Sequence, residues 1–221
     1  VGLRQAARNA GDGISLVQVA EGGLNETTNI LIRLRELAIQ GASDSVAATE
    51  KGYLDEEFQQ LVDEVDRISR TTRFNGIDLL SGETEYETME FQVGPTGEEI
   101  SRISFDPNKA NATVGNDGLA IEGTGVSDKV TAQESLGKVD AALTKVNGIR
   151  AGFGAMQSRF QSATNNTRVS VENQSAAYSR IADTDIAFET SEYTRNMIMT
   201  QAATSVLGNS NDYQSLALKL L

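Results

Sequence analysis

The sequence predicts a mainly α protein: an elongated, rod-like bundle of long antiparallel helices with a small β-hairpin insertion, followed by a C-terminal helix of different character. Three observations predict it. Apolar residues recur at spacings of three and four over long proline-free runs. Both prolines, Pro95 and Pro107, fall in one central stretch crowded with glycines. Two short alternating segments in that stretch flank Gly94-Pro95-Thr96-Gly97. The expected partition is residues 1–80 as two helices, 81–128 as the hairpin and a short variable region, 129–180 as a long core helix, and 181–221 as a terminal helix.

The first helix is expected from Ala7 to Gln40, on Ile14, Val17, Leu24, Thr27, Leu31, Leu34 and Ala38, with loosening at Gly22-Gly23 and an end at Gly41. Ser43 and Asp44 are expected to cap the second, where Leu54, Phe58, Leu61, Val65, Ile68 and Thr72 alternate four and three apart. After Phe74-Asn75-Gly76 the periodicity stops. Residues 89–93 and 100–105 then read as two strands joined by a short loop. Helical spacing resumes near Ser135 through Leu136, Val139, Leu143, Val146, Ile149, Phe153, Met156, Phe160 and Ala163, capped by Ser127 or Thr131 and reaching about Tyr178. The last segment, Asp185 to Leu221, carries Ile186, Tyr193, Met197, Val206, Leu207, Leu216 and Leu220 as a thinner stripe among Gln, Asn, Ser and Thr. Such stripes bury themselves best by packing lengthwise against each other.

Composition excludes several functions. A chain of 221 residues can bury a core without disulfides or metals. Nineteen basic against 31 acidic residues give a net charge of −12, which repels phosphate backbones and anionic lipid, so neither nucleic acid nor a membrane surface is expected as a partner. No run approaches the ~18 apolar residues of a bilayer span, and no basic region followed by an apolar signal segment opens the chain. Cysteine and histidine are both absent. That removes thiolate chemistry, the usual zinc ligands and the histidine-dependent triads. No cofactor and no enzymatic activity are expected.

The other motifs have ordinary explanations. Glu21-Gly22-Gly23 and Gly94-Pro95-Thr96-Gly97 lack the strand, helix and lysine of a phosphate loop. The carboxylates of Asp63-Glu64-Val65-Asp66 and Asp183-Thr184-Asp185 lack the glycine-turned loop of a calcium site and read as solvated faces. Four Asn-x-Ser/Thr sequons occur, at Asn25, Asn111, Asn165 and Asn173.

The order and spacing of longer motifs resemble the bacterial flagellins. RNAGDGISLVQ from Arg8 to Gln18, AEGGLNETTNIL from Ala20 to Leu31 and RLRELAIQ from Arg33 to Gln40 are similar to their N-terminal signature. FQQLVDEVDRIS from Phe58 to Ser69, Thr72 to Gly76, and FQVG from Phe91 to Gly94 continue it. GAMQSRF from Gly154, NQSAAYSRIADTDIAFE from Asn173 and QAATSVLGNSNDYQSLALKLL from Gln201 resemble the C-terminal half. Only residues 82–125, where flagellins vary, lie outside it. Flagellins carry a further N-terminal inner helix that pairs with the terminal one. It does not precede Val1 here, and the start is read as a processed or trimmed one.

The resemblance implies a structural subunit that polymerises into the flagellar filament, exported by the type III apparatus and located outside the cell. Its implied partners are other flagellin subunits, an export chaperone, and the hook-associated and cap proteins. Met197, Val206, Leu207, Leu216 and Leu220 are the implied assembly and chaperone contacts. The segment bearing them is expected to be disordered alone and to fold on assembly. Recognition by a Toll-like innate immune receptor is implied at Arg33, Leu37 and Glu57, with the two charges rimming the leucine. Leu54, Phe58, Leu61, Val65, Ile68, Leu143, Val146, Phe153, Met156 and Phe160 are the expected core seam. Two rivals are a hook-associated junction protein and a flagellin-like surface binding protein. The latter would need a pocket from residues 82–125, where Tyr86 and Phe91 are the available aromatics.

Overall fold

The computed structural model describes residues 2–83, 88–183 and 185–219, with side chains described as far as residue 210. It divides into two compact units, 1–171 and 172–221. In the first, α1 (Gly2–Gly41) runs unbroken through Gly22 and Gly23 rather than loosening there. Apart from Leu16 and Leu37, which widen the seam, its buried positions, Ala6, Ala10, Gly13, Val17, Ala20, Leu24, Thr27, Leu31, Leu34, Ala38 and Gly41, alternate four and three apart along its whole length. That is a period of 3.5 residues, the repeat that keeps one seam of a helix against its neighbours. Thr27 belongs in the seam because its hydroxyl donates to the Gly23 carbonyl at 3.0 Å and so needs no water.

α2 (Ala48–Thr71) starts later than its expected caps. Ser43 and Asp44 lie in the preceding turn: the Ser43 hydroxyl accepts from the Ser45 N–H at 3.3 Å, and Asp44 pairs with Lys129 at 2.6 Å. The N-cap is Ala47, whose own N–H donates to Glu50 Oε2 at 3.4 Å. The buried face of α2 is Phe58, Val62, Val65 and Ser69 with Lys51. Ile68 of the expected seam is only half-buried, because Ser69 takes that place by donating its hydroxyl to the Asp66 carbonyl. Leu54 and Leu61 pack on the core margin.

Between α2 and the next helix the chain makes two small antiparallel hairpins. The first joins β1 (Arg73–Phe74) to β2 (Ile77–Asp78). Asn75 at φ 51° and Gly76 at φ 80° form its two-residue turn, the left-handed pair that an Asn-Gly dipeptide supplies at least cost. The second pairs β3 (Met89–Gln92) with β4 (Arg102–Phe105) in the register Met89 to Phe105 and Gln92 to Arg102. Its connection is longer than expected. Residues 99–101 form a 3-10 turn, and Ile100, assigned from the sequence to a strand, is 88% exposed on it.

α3 (Lys129–Ala182) spans the boundary between the units. Its cap is neither Ser127 nor Thr131 but Asp128, whose Oδ1 accepts from the Thr131 N–H at 2.9 Å and whose Oδ2 accepts from the Thr131 hydroxyl at 2.7 Å. The backbone N–H and then the hydroxyl of Thr131 hold the Asp128 carboxyl below its ordinary range. Asp44 is likewise lowered, first by its hydrogen bond from Lys129. A depressed carboxylate adds stability that is present above its unfolded pKa and lost as pH falls through the folded one. The expected result is acid fraying of the α3 start below about pH 4. A carbon-13 titration of Asp128 should show a midpoint under that value, and Asp128→Asn should flatten the acid dependence of thermal unfolding. A midpoint at or above the ordinary aspartate value would remove this account.

Opposed pairs set the directions of the three helices. Arg33 meets Glu57 and Gly23 meets Thr72, so α2 is antiparallel to α1. Gly41 meets Ala132, Arg35 meets Asp140, Glu21 meets Arg150 and Gly13 meets Phe160, so α3 is antiparallel to it too. Small residues on α1 permit this approach. A Cβ on Gly13 would sit 2.5 Å from the Phe160 ring, and one on Gly41 3.0 Å from Val126.

Residues 106–128 carry no helix or strand beyond a short 3-10 turn, yet Ala112, Leu119, Ile121 and Val126 are buried in the same core. Helix side chains hold this strap by its backbone. Asp55 accepts from the Val126 N–H at 2.6 Å, Gln59 donates to the Thr124 carbonyl at 2.8 Å, and the Ser135 hydroxyl donates to the Gly125 carbonyl at 2.7 Å. Each satisfies a polar group that burial would otherwise leave without water.

In the second unit, after Asp183, α4 (Ile186–Lys219) begins at an Asp185 cap whose Oδ1 accepts from the N–H groups of Ala187 at 3.0 Å and Phe188 at 3.1 Å.

Candidate functional site

The first candidate is the charged patch on α1 and α2. Arg33 donates through Nε at 2.8 Å and Nη2 at 2.6 Å to Glu57 Oε1, and through Nη1 to Glu36 at 3.2 Å. Those bonds, Glu57 first and Glu36 second, raise the Arg33 pKa. Side-chain exposure of 48% for Arg33 and 44% for Glu57 leaves the pair in solvent, where such bridges contribute roughly 0–1 kcal/mol. Leu37 does not join them. It is fully buried in the α1 seam, so the expected anatomy of a leucine with a charged rim is corrected here: a surface partner reaches the charges and not the leucine.

The second candidate is α4. From Ile186 to Ser210 no side chain is buried. Ile186, Phe188, Tyr193, Ile198, Met199, Val206 and Leu207 are all more than 60% exposed, and Met197 is 54% exposed. The expected single stripe is also corrected. At about 100° per residue, Ile186, Tyr193 and Met197 share one face, but Phe188, Met199 and Val206 lie opposite, and Ile198 and Leu207 fall between. A helix apolar all round is one that ends up surrounded. The side chain of Leu216 and all of Leu220 lie outside the described residues, as does Tyr86.

The expected seam residues meet in the first unit. Phe58, Val65, Val146, Phe153 and Phe160 are buried, and Leu143 and Met156 pack against them. Phe160 stands edge-on to Phe91 at 5.3 Å between centroids, and Phe153 tilts on Phe105 at 5.4 Å, so the two aromatic pairs tie the hairpin to α3. The acidic runs are spent locally. Glu64 pairs with Arg67 at 2.6 Å and Asp66 with Arg70 at 2.6 Å. Among the described residues no three carboxylates converge.

Sequence reasoning missed the strap. Leu119, Ile121 and Val126 sit among glycines, with Asp117, Glu122 and Asp128 close by in the chain and no periodicity to betray their burial. It also missed the first hairpin, although Asn75-Gly76 is the strongest short-range hairpin signal a sequence offers.

Heptad-spaced helices that close one core, in a chain that also carries a long helix whose described apolar residues stand in the open, define a structural subunit built for contact with other chains. The family model of the bacterial flagellin N-terminal helical region matches residues 1–85, and that of the bacterial flagellin C-terminal helical region matches residues 136–221. The flagellin of Halalkalibacterium halodurans is 40% identical over 220 residues, covering 100% of this chain and 79% of its own length. The flagellar filament 30.7 kDa core protein of Treponema maltophilum is 37% identical over 227 residues, covering 100% of this chain and 80% of its own. In structure, Bacillus cereus flagellin superposes with a TM-score of 0.61 at 30% identity, over 77% of this chain and 94% of the other. The chain belongs to the bacterial flagellin family. It is a structural filament subunit, and the comparisons favour that reading over a junction protein or a surface binding protein.

Proposed function

We propose that the chain polymerises through α4, which passes from solvent into the packed interior of the filament as copies assemble. The observation that carries this is the all-round apolar exposure of α4, with no residue buried between Ile186 and Ser210. An isolated helix is marginal in water, so a helix of this kind owes its order to neighbours. Before assembly the same residues, Met197, Val206, Leu207, Leu216 and Leu220, are the cover site for an export chaperone, and secretion through the type III apparatus delivers the subunit outside the cell. Hook-associated and cap proteins meet the filament at its two ends.

Assembly is tested by sedimentation and negative-stain microscopy of the flagellin, alongside far-ultraviolet circular dichroism of subunit and filament. Helix content should rise on polymerisation as α4 orders. Equal helix content in the two states would overturn coupled folding.

We further propose that Arg33 and Glu57 form a recognition patch for a Toll-like innate immune receptor. The exposure of both charges supports it, and burial restricts Leu37 to holding α1 in register. Glu57→Lys should weaken receptor binding about tenfold or more while moving thermal unfolding little, since the intramolecular pair contributes at most about 1 kcal/mol. Unchanged receptor binding would leave the pair as an interhelical bridge.

A further inference from the structure

Beside the base of the second hairpin an open groove of about 590 Å³ runs between β4, the turn after it and α3. Its apolar lining includes Phe105, Ile149, Phe153 and Met156, and Gly148 and Gly152 leave room along the α3 side. A Cβ built at either glycine meets nothing within 4 Å among the described residues, so their packing does not require glycine there. Helical glycine costs about 1 kcal/mol relative to alanine, which makes two open ones a cost the isolated subunit does not recover.

Two lysines, Lys109 and Lys145, stand on the rim of the same groove in a chain of net charge −12. Lys145 donates to the carbonyls of Asp117, at 3.0 Å, and Gly118, and has no carboxylate partner among the described residues. Lys109 reaches Asp106 at 3.3 Å and is 85% exposed. The groove therefore suits an apolar side chain flanked by negative charge.

The chain carries such a knob elsewhere on its surface. Ile100 is 88% exposed on the 3-10 turn beyond β3 and β4, preceded by the exposed Glu98 and Glu99, neither in an ion pair among the described residues. The groove lies at the Phe105 end of β4 and the knob beyond the Arg102 end, a strand length of about 13 Å away. One copy cannot fill its own groove.

We infer that the Glu98-Glu99-Ile100 turn of one copy docks into the groove beside Gly152 of a second copy, with the glutamates facing Lys109 and Lys145. The contact joins two different patches of identical molecules. Such a heterologous interface repeats without closing and so generates a fibre. The inference rests on the assembly reading above, and adds a lateral contact outside α4.

The chain has no cysteine, so introduced thiols are the only ones present. Filaments of an Ile100→Cys, Gly152→Cys double variant should give a ladder of disulfide-linked oligomers on mild oxidation. Filaments of either single variant should not. Gly152→Leu, which fills the groove without an intrachain clash, should raise the critical concentration for polymerisation roughly tenfold while leaving the subunit no less stable to unfolding. Glu99→Lys should do the same and be rescued by Lys109→Glu. Intact filaments with no ladder and an unchanged critical concentration for Gly152→Leu would overturn the docking pair. Failure of the unaltered flagellin to polymerise would instead overturn the assembly reading.

Discussion

Phe160→Ala is expected to cost about 3–5 kcal/mol of stability, enough to unfold much of a domain whose total is on the order of 5–15. Phe160 is fully buried, its ring fills the notch that Gly13 leaves in α1, and its edge contact with Phe91 brings in the hairpin. One side chain thus joins three elements, and alanine would leave a cavity that two long helices cannot collapse around without bending. Urea unfolding of the subunit measures it. The converse change, Gly13→Ala, forces a methyl 2.5 Å from the same ring and should cost about 1–3 kcal/mol by overpacking. The double variant should lose less than the sum, because alanine at 160 relieves the clash. Additive losses, or a loss under about 1 kcal/mol for Phe160→Ala, would show that the notch is not filled as described.

Met197→Asp combined with Ile198→Asp is expected to abolish filaments while leaving urea unfolding of the first unit unchanged. Both side chains are more than half exposed in the subunit, so a carboxylate there meets water and costs little. Within a packed interior each would be an unpaired buried charge. A penalty above about 3 kcal/mol per subunit raises the critical concentration more than roughly a hundredfold. Asparagine at the same positions should be intermediate, since it is polar but uncharged. If the double aspartate variant sediments as filaments at the usual concentration, α4 stays in solvent after assembly and the polymerisation mechanism proposed for it fails.

The seam of the first unit could be read in advance because its period is regular and its helices are long. Val17, Leu24, Thr27, Leu31 and Leu34 declare a repeat that few other structures would satisfy. Helix starts were less legible. The expected caps Ser43 and Asp44, and then Ser127 and Thr131, are good capping residues by type, but tertiary bonds decide which one serves. Asp44 is drawn to Lys129, and Thr131 acts as the donor to Asp128 rather than as the cap. Ile100 went astray for a related reason. Alternation over residues 100–105 implies a strand, yet the strand begins only at Arg102, where pairing to Gln92 starts.

For the functional surfaces the same contrast holds. Residue types marked α4 as rich in apolar groups, and its resemblance to the ends of flagellins marked it as an assembly segment. That these groups point to every side, and that none from Ile186 to Ser210 is buried, came from geometry. Leu37 is the clearest case. It lies one turn from Arg33, only about 40° round α1, yet packing against neighbouring elements buries it completely while Arg33 stays in solvent.

By itself the sequence determined the helical repeat, the proline and glycine interruption, the absence of histidine and cysteine, and membership in a filament-forming family. These are local or compositional properties, written in residue type and spacing. Tertiary structure alone decided that the strap of residues 106–128 completes the core, that Gly13 exists to receive Phe160, and that an apolar groove and an acidic knob occupy different places on one surface. Those facts join residues far apart in the chain, and no local pattern encodes which distant backbone a side chain such as Asp55 will satisfy.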